Sequence, residues 1–172
     1  MSIIRKWKRF AVVSCSHGHL MDPAAGKAVT DFIKAFEPHR FDHAGDYTDL
    51  SPMMGNGAGQ GDPLGPDVED GLAFLEQLKA YKDLELVVHD GNHEARLRRL
   101  AQSSNQVIAE CARLLLVQIQ QHCLKLKAKQ IPYEGIWQGS RIGNLRFQRA
   151  AQHPQNWQRI WFGQGLDAIR FA

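Results

Sequence analysis

Cysteine is scarce in this sequence. Its 172 residues hold only Cys15, Cys111 and Cys123, an odd number at wide spacing. That excludes a small disulfide-stapled scaffold. No apolar run reaches the length of a membrane span. The basic N-terminus leads into FAVVS (10–14), a strand-length segment too short for a signal-peptide core. These absences point to a soluble protein of a reducing cytoplasm, with no membrane partner. Long runs of one charge are also missing. The densest basic stretches are RKWKR (5–9) and ARLRR (95–99), and the net charge is +3. Such a balance suits an anionic substrate or nucleic acid without demanding either. There is no internal repeat. The Gly-rich stretch lacks the closing Gly-Lys-Ser/Thr of a phosphate-binding P-loop.

What remains is a chain long enough for one domain with a substantial core. FAVVS reads as a buried strand. Asp22-Pro23 reads as an N-cap and first helical residue, opening an amphipathic helix over 23–36. A weak strand is expected at 40–44. The stretch 51–67, SPMMGNGAGQGDPLGPD, holds five Gly and three Pro. It reads as a long loop, either a surface crossing or a substrate lid. A helix follows at roughly 67–81, then the strand LELVV (84–88). A basic helix starts at Glu94. Another helix, capped by Ser103 or Ser104, runs to about 127 with Val107, Cys111, Leu114, Leu115 and Ile119 toward a core. Residues 133–148 read as two strands around a Gly-Ser turn. Alternating strands and helices predict an α/β layered fold. The tail 149–172 changes texture, being rich in Gln, Arg and Trp with one acid, Asp167.

Polar clusters stand just after three of the expected strands: CSHGH (15–19), GDYTD (45–49) and GNHE (91–94). In open α/β sheets the ligand crevice lies at the carboxyl ends of the strands. Imidazoles, carboxylates, an amide oxygen and a thiol are metal-ligand chemistry. Cys15 also invites a nucleophile reading with His17 as its base, although no third, orienting group can be named from the sequence. Asp22 is better explained as a cap than as a ligand. Asp49 reads as a partner of ligands rather than a ligand. His43 and His89 read as packing residues, and His19 as solvent-facing or near substrate. Arg96, Arg98 and Arg99 read as a solvated helix face, with contact to phosphate or nucleic acid as the alternative.

In this order, the three blocks resemble those of the calcineurin-like metallophosphoesterases, in particular the phage and bacterial branch. The resemblance covers about residues 10–148. It implies a metallophosphoesterase-like domain at 1–148, a layered α/β β-sandwich flanked by helices, with the C-terminal part incomplete. The tail 149–172 stands apart. His17 would bind the first metal, Asp46 would bridge both metals, and Asn92 would bind the second. His93 would be catalytic, stabilising the transition state or protonating the leaving group. The implied cofactors are two divalent ions (Mn, Zn or Fe). The implied reaction is hydrolysis of a phosphate mono- or diester, with a nucleotide or nucleic acid among the candidate substrates.

Two departures stand beside the resemblance. Cys15 occupies the place of the family's opening Asp. A thiolate can ligate zinc or iron, so Cys15 stays a candidate ligand with a different metal preference. The family's late His-Gly and Gly-His-x-His blocks do not occur, and the only histidine after residue 148 is His153. A truncation or frame change near 148 and a natural variant ending differently are both open origins. So is the alternative that the chain is a catalytically degenerate remnant or a nucleic-acid-binding module.

Overall fold

The computed structural model describes residues 9–54, 61–133, 139–142 and 145–148. By contact the chain divides into two units, 1–132 and 133–172. In the first, β1 (Phe10–Val13), β2 (Arg40–His43), β3 (Glu85–His89) and β4 (Lys129–Ile131) form a wholly parallel sheet in the order β1-β2-β3-β4. Parallel neighbours need long crossovers. Here they are α1 (Pro23–Phe36), α2 (Leu64–Leu78), and the pair α3 (Glu94–Leu100) and α4 (Gln106–Lys125). The expected α/β class is what the chain adopts. Among the described residues no helix is long and apolar enough to cross a membrane.

The core joins β2 and β3 to α2, α3 and α4 through Phe41, Leu86, Val88, Leu75, Leu97 and Ile119. From Leu86 to His89, β3 is buried at every residue. A strand covered on both faces reads as a continuous apolar run, which is why LELVV is legible. In contrast, β2 carries charge into the interior. Asp42 is buried, and Nε and Nη2 of Arg40 donate to its carboxylate at 2.7 Å each. His89 Nε2 lies 3.2 Å from the same carboxylate. Burial works against the charge of Asp42, but Arg40 and His89 hold its carboxyl below the usual range.

The α1 boundaries match the sequence reading. Asp22 Oδ1 accepts from the amides of Ala24 and Ala25, at 2.7 and 3.4 Å, and Pro23 needs no amide partner in the first turn. Elsewhere the structure corrects the sequence. Helix α2 starts at Leu64, not 67, because Pro66 fits inside a first turn whose N–H groups are unbonded anyway. Of the expected loop 51–67, Ser51–Met54 is a short 3-10 turn, and 55–60 lie outside the described residues. Asn105, not Ser103 or Ser104, caps α4. Its Oδ1 accepts from Val107 and Ile108 at 3.0 and 3.2 Å. The buried face of α4 is Ala109, Ala112, Ile119 and Cys123. Val107 and Leu114, expected inside, are 72% and 62% exposed, and Cys111 is exposed. Two apolar stripes share this helix, and the one with alanines is the one that turns to the core. Strand β4 is short and partly polar, so its apolar pattern does not announce it.

In the second unit, β5 (Gly139–Ile142) and β6 (Leu145–Gln148) pair antiparallel, with Ile142 opposite Leu145. Gly139-Ser140 therefore begins β5 instead of making the turn. The tail 149–172, with His153, lies outside the described residues.

One contact ties the fold to the loops discussed next. A Cβ at Gly71 on α2 would stand 2.5 Å from the Tyr47 carbonyl oxygen and 2.9 Å from Thr48 Cγ2. Gly→Ala in an open helix stabilises. Gly71→Ala should instead cost about 1–3 kcal/mol through overpacking. Urea unfolding checks this, and a raised midpoint would contradict the packing described.

Candidate metal centre

The three polar blocks occupy the loops at the carboxyl ends of β1, β2 and β3. The first two loops keep running side by side after their strands end. The amide of Cys15 donates to Gly45 O, that of His17 to Asp46 O and that of Gly18 to Tyr47 O, each at 3.0 Å. Cys15, His17, Asp46 and Leu50 all have positive φ, between 53° and 60°. For residues with a Cβ this left-handed backbone costs on the order of 1–3 kcal/mol each, and such strain gathers at functional sites. Gly18 shares the conformation, and it has to be glycine. A Cβ there would lie 2.2 and 2.3 Å from two oxygens of Asp67.

The donors converge in two overlapping groups. One ligand atom each of Cys15, His17 and Asp46 lies within 4.8 Å of the others, and the same holds for His17, Asp49 and His93. Cys15 Sγ stands 3.9 Å from Asp46 Oδ2. His17 Nδ1 is 3.1 Å from Asp49 Oδ1. A carboxylate only accepts, so Nδ1 carries the proton and Nε2 is left as a ligand atom, the usual arrangement behind a metal-bound histidine. His93 Nδ1 is 2.6 Å from the carbonyl oxygen of Asp49. By the same logic Nδ1–H donates and Nε2 is open. The His17 and His93 rings meet edge to face at 4.8 Å. Asn92 precedes the residue whose amide donates to Asp46 Oδ1 at 3.2 Å.

Two buried carboxylates lock the loops together. Glu94 is 1% exposed. Its Oε2 accepts from the amides of Asp46 and Gly91 at 3.0 and 2.6 Å. Its Oε1 accepts from the amide and hydroxyl of Thr48 at 2.9 and 2.8 Å. The second block is thereby clamped to the third. Asp67, in the first turn of α2, accepts from the amides of Asp49 and Leu50. It also meets His19 Nδ1 at 3.3 Å. His19 is therefore turned inward, not toward solvent. Sequence reasoning assigned no role to Glu94 or Asp67. An acid in a helix's first turn is ordinary dipole chemistry, and nothing local shows that it reaches another loop.

Electrostatics follow from this crowding. His17 is raised to about 9, chiefly by its hydrogen bond to the Cys15 side chain, against burial, then by Asp49 and Asp46. Burial lowers the pKa of His93. Burial also raises Glu94 to about 7, with its Thr48 and Gly91 donors pulling the other way.

The donor chemistry fits a divalent cation that accepts sulfur, nitrogen and oxygen together, such as zinc or iron. A carboxylate-oriented imidazole, a carboxylate and a thiol stand around one position, as in three-ligand catalytic sites. The other group, His17, Asp49 and His93, shares His17 with the first. The third group that the thiol-nucleophile reading lacked is present, since Asp49 orients His17. Arg96 and Arg98 are not simply solvated. Arg96 Nη1 donates to Asp49 O at 2.8 Å, and Arg98 Nη2 donates to the buried Asp90 at 2.6 Å. His43 and His89 are buried packing residues, as expected, paired with Ser16 and Asp42. Comparison of this chain with models of known protein families and with curated proteins found no match.

Proposed function

We propose that this chain is a metal-dependent phosphoesterase of the calcineurin-like type, whose parallel sheet is part of that family's layered fold. The observation that carries this reading is the convergence of CSH, GDYTD and GNHE, blocks more than 25 residues apart in the chain, on one cluster of donors. His17 and Asp46 would hold a first divalent cation, and Asp46 and Asn92 a second. When bound, such cations acidify an attacking water and neutralise phosphoryl oxygens.

The chain's own residues supply orientation and proton transfer. Asp49 fixes the His17 ring through Nδ1, which would leave Nε2 to hold a cation. The Asp49 carbonyl accepts a hydrogen bond from Nδ1–H of His93, so in the protonated ring Nε2–H is the group that would pass a proton to the leaving oxygen. Arg96 anchors that same carbonyl. Burial makes a protonated His93 a stronger acid. Purified protein should hydrolyse an aryl phosphate mono- or diester with added manganese, zinc or iron. His93→Ala should lower the rate by about 10²–10⁴-fold, the usual worth of a positioned acid. Hydrolysis indifferent to both chelator and His93→Ala would sink the reading.

One observation favours a second reading. Cys15, His17 and Asp49 form a hydrogen-bonded line of thiol, imidazole and carboxylate, the outline of an activated nucleophile. That chemistry would survive chelation and die on alkylation. The nucleic-acid-binding alternative would rest on Arg98 and Arg99, which are exposed on α3, more than on Arg96, which is engaged with Asp49.

A further inference from the structure

We propose that the Cys15 thiol is itself a protein ligand of the cation position shared with His17 and Asp46, and that it makes this position select zinc- or cobalt-like ions over manganese and magnesium. The proposal rests on the metal-dependent reading above and assigns the side chain that departs from the family pattern.

Geometry carries it. A metal–sulfur bond of ~2.3 Å and a metal–oxygen bond of ~2.1 Å at the tetrahedral angle put sulfur and oxygen about 3.6 Å apart. Cys15 Sγ and Asp46 Oδ2 stand 3.9 Å apart. The His17 donor lies within 4.8 Å of both. One ion can therefore reach all three with small side-chain rotations. The backbone already commits to this placement. Cys15 is pinned to Gly45 O at 3.0 Å, with a φ of 60°. A cysteine serving only the core is better placed as Cys123 is, buried on α4, whereas Cys15 is exposed at the mouth of the loops. The donor count also matters. One sulfur, one nitrogen and one oxygen suit a four-coordinate ion with an open place. Magnesium and manganese prefer a fuller, all-oxygen shell. On binding, the S–H bond breaks, the sulfur–metal bond forms, and the proton leaves to solvent. No redox partner is required.

Cobalt(II) titration of the full chain reads this without catalysis. Wild-type protein should develop a near-ultraviolet sulfur-to-cobalt charge-transfer band. Cys15→Ser and Cys15→Asp should lose it with far-ultraviolet circular dichroism unchanged. Cys111→Ser should keep it, which excludes the other exposed thiol. In zinc–manganese competition, Cys15→Asp should shift preference toward manganese by at least about tenfold, the scale on which even a ligand's outer partners act. Cobalt bound with no charge-transfer band would overturn the thiolate assignment and leave the metal-dependent reading standing. No cobalt bound at all would overturn both. Rapid alkylation of Cys15 at an equal rate with and without zinc would also overturn it, in favour of the nucleophile.

Discussion

Asp46→Asn should remove metal-dependent hydrolysis and leave the protein at least as stable as before. Asp46 is the residue at which the three loops meet. It lies 3.9 Å from the Cys15 sulfur, accepts the His93 amide at 3.2 Å, and its own amide donates to Glu94. Asparagine keeps the shape and can still accept from His93. It loses the negative charge that would face a cation. The rate should fall by roughly 10²–10³-fold, the scale of losing one preorganised electrostatic group, and calorimetric metal titration should weaken in parallel. Asp46 also raises the carboxyl of Glu94 by like-charge repulsion. Removing that repulsion should leave the metal-free melting point unchanged, or add up to about 1 kcal/mol, the familiar trade between activity and stability. A merely structural aspartate would show the reverse, with stability lost and metal affinity intact.

The second large effect belongs to Glu94. In Glu94→Ala, three amides and one hydroxyl, from Asp46, Gly91 and Thr48, lose their acceptor in a buried place. Each unsatisfied buried donor costs about 1–3 kcal/mol, less where water can enter. A loss of about 4 kcal/mol is expected, which lowers Tm by roughly 10 °C in a chain of this size. Glu94→Gln should fall between the two. Its amide oxygen serves one pair of donors, while its NH₂ faces the other pair. The order wild type, Gln, Ala in thermal melting is the check. An Ala variant within 1 kcal/mol of wild type would mean that the clamp is not what joins the second and third loops.

Sequence legibility tracked how local each cause is. Helix α1 could be read to the residue, because its N-cap, its first-turn proline and its apolar spacing all lie within one segment. The buried β3 could be read from its composition alone. Helix α4 could be located and partly oriented: Ile119 and Leu115 do face the core, whereas Val107, Cys111 and Leu114 lie outside and Ala109 and Ala112 lie inside. Packing into the shared core, not local pattern, decides which of these residues turn inward. The site divides the same way. His17, Asp46, Asn92 and His93 stand in short blocks after strands, so residue type and order suffice to nominate them. Asp67 and Glu94 act across 17 to 48 residues of chain, and no local pattern distinguishes them from ordinary first-turn acids. The orienting role of Asp49 was expected from its block. Its simultaneous contact with His17 and His93 is a tertiary fact.

If three separated loops build one cation site, the chain should keep its metal through dialysis. Elemental analysis of metal retained per chain tests it most directly, after zinc loading and exhaustive dialysis of wild type, His17→Ala and Asp46→Asn. At least about one zinc per wild-type chain is expected, set by the donors of Cys15, His17 and Asp46, with near-complete loss in both variants. Wild-type protein that retains no zinc, or variants that retain as much as wild type, would contradict it.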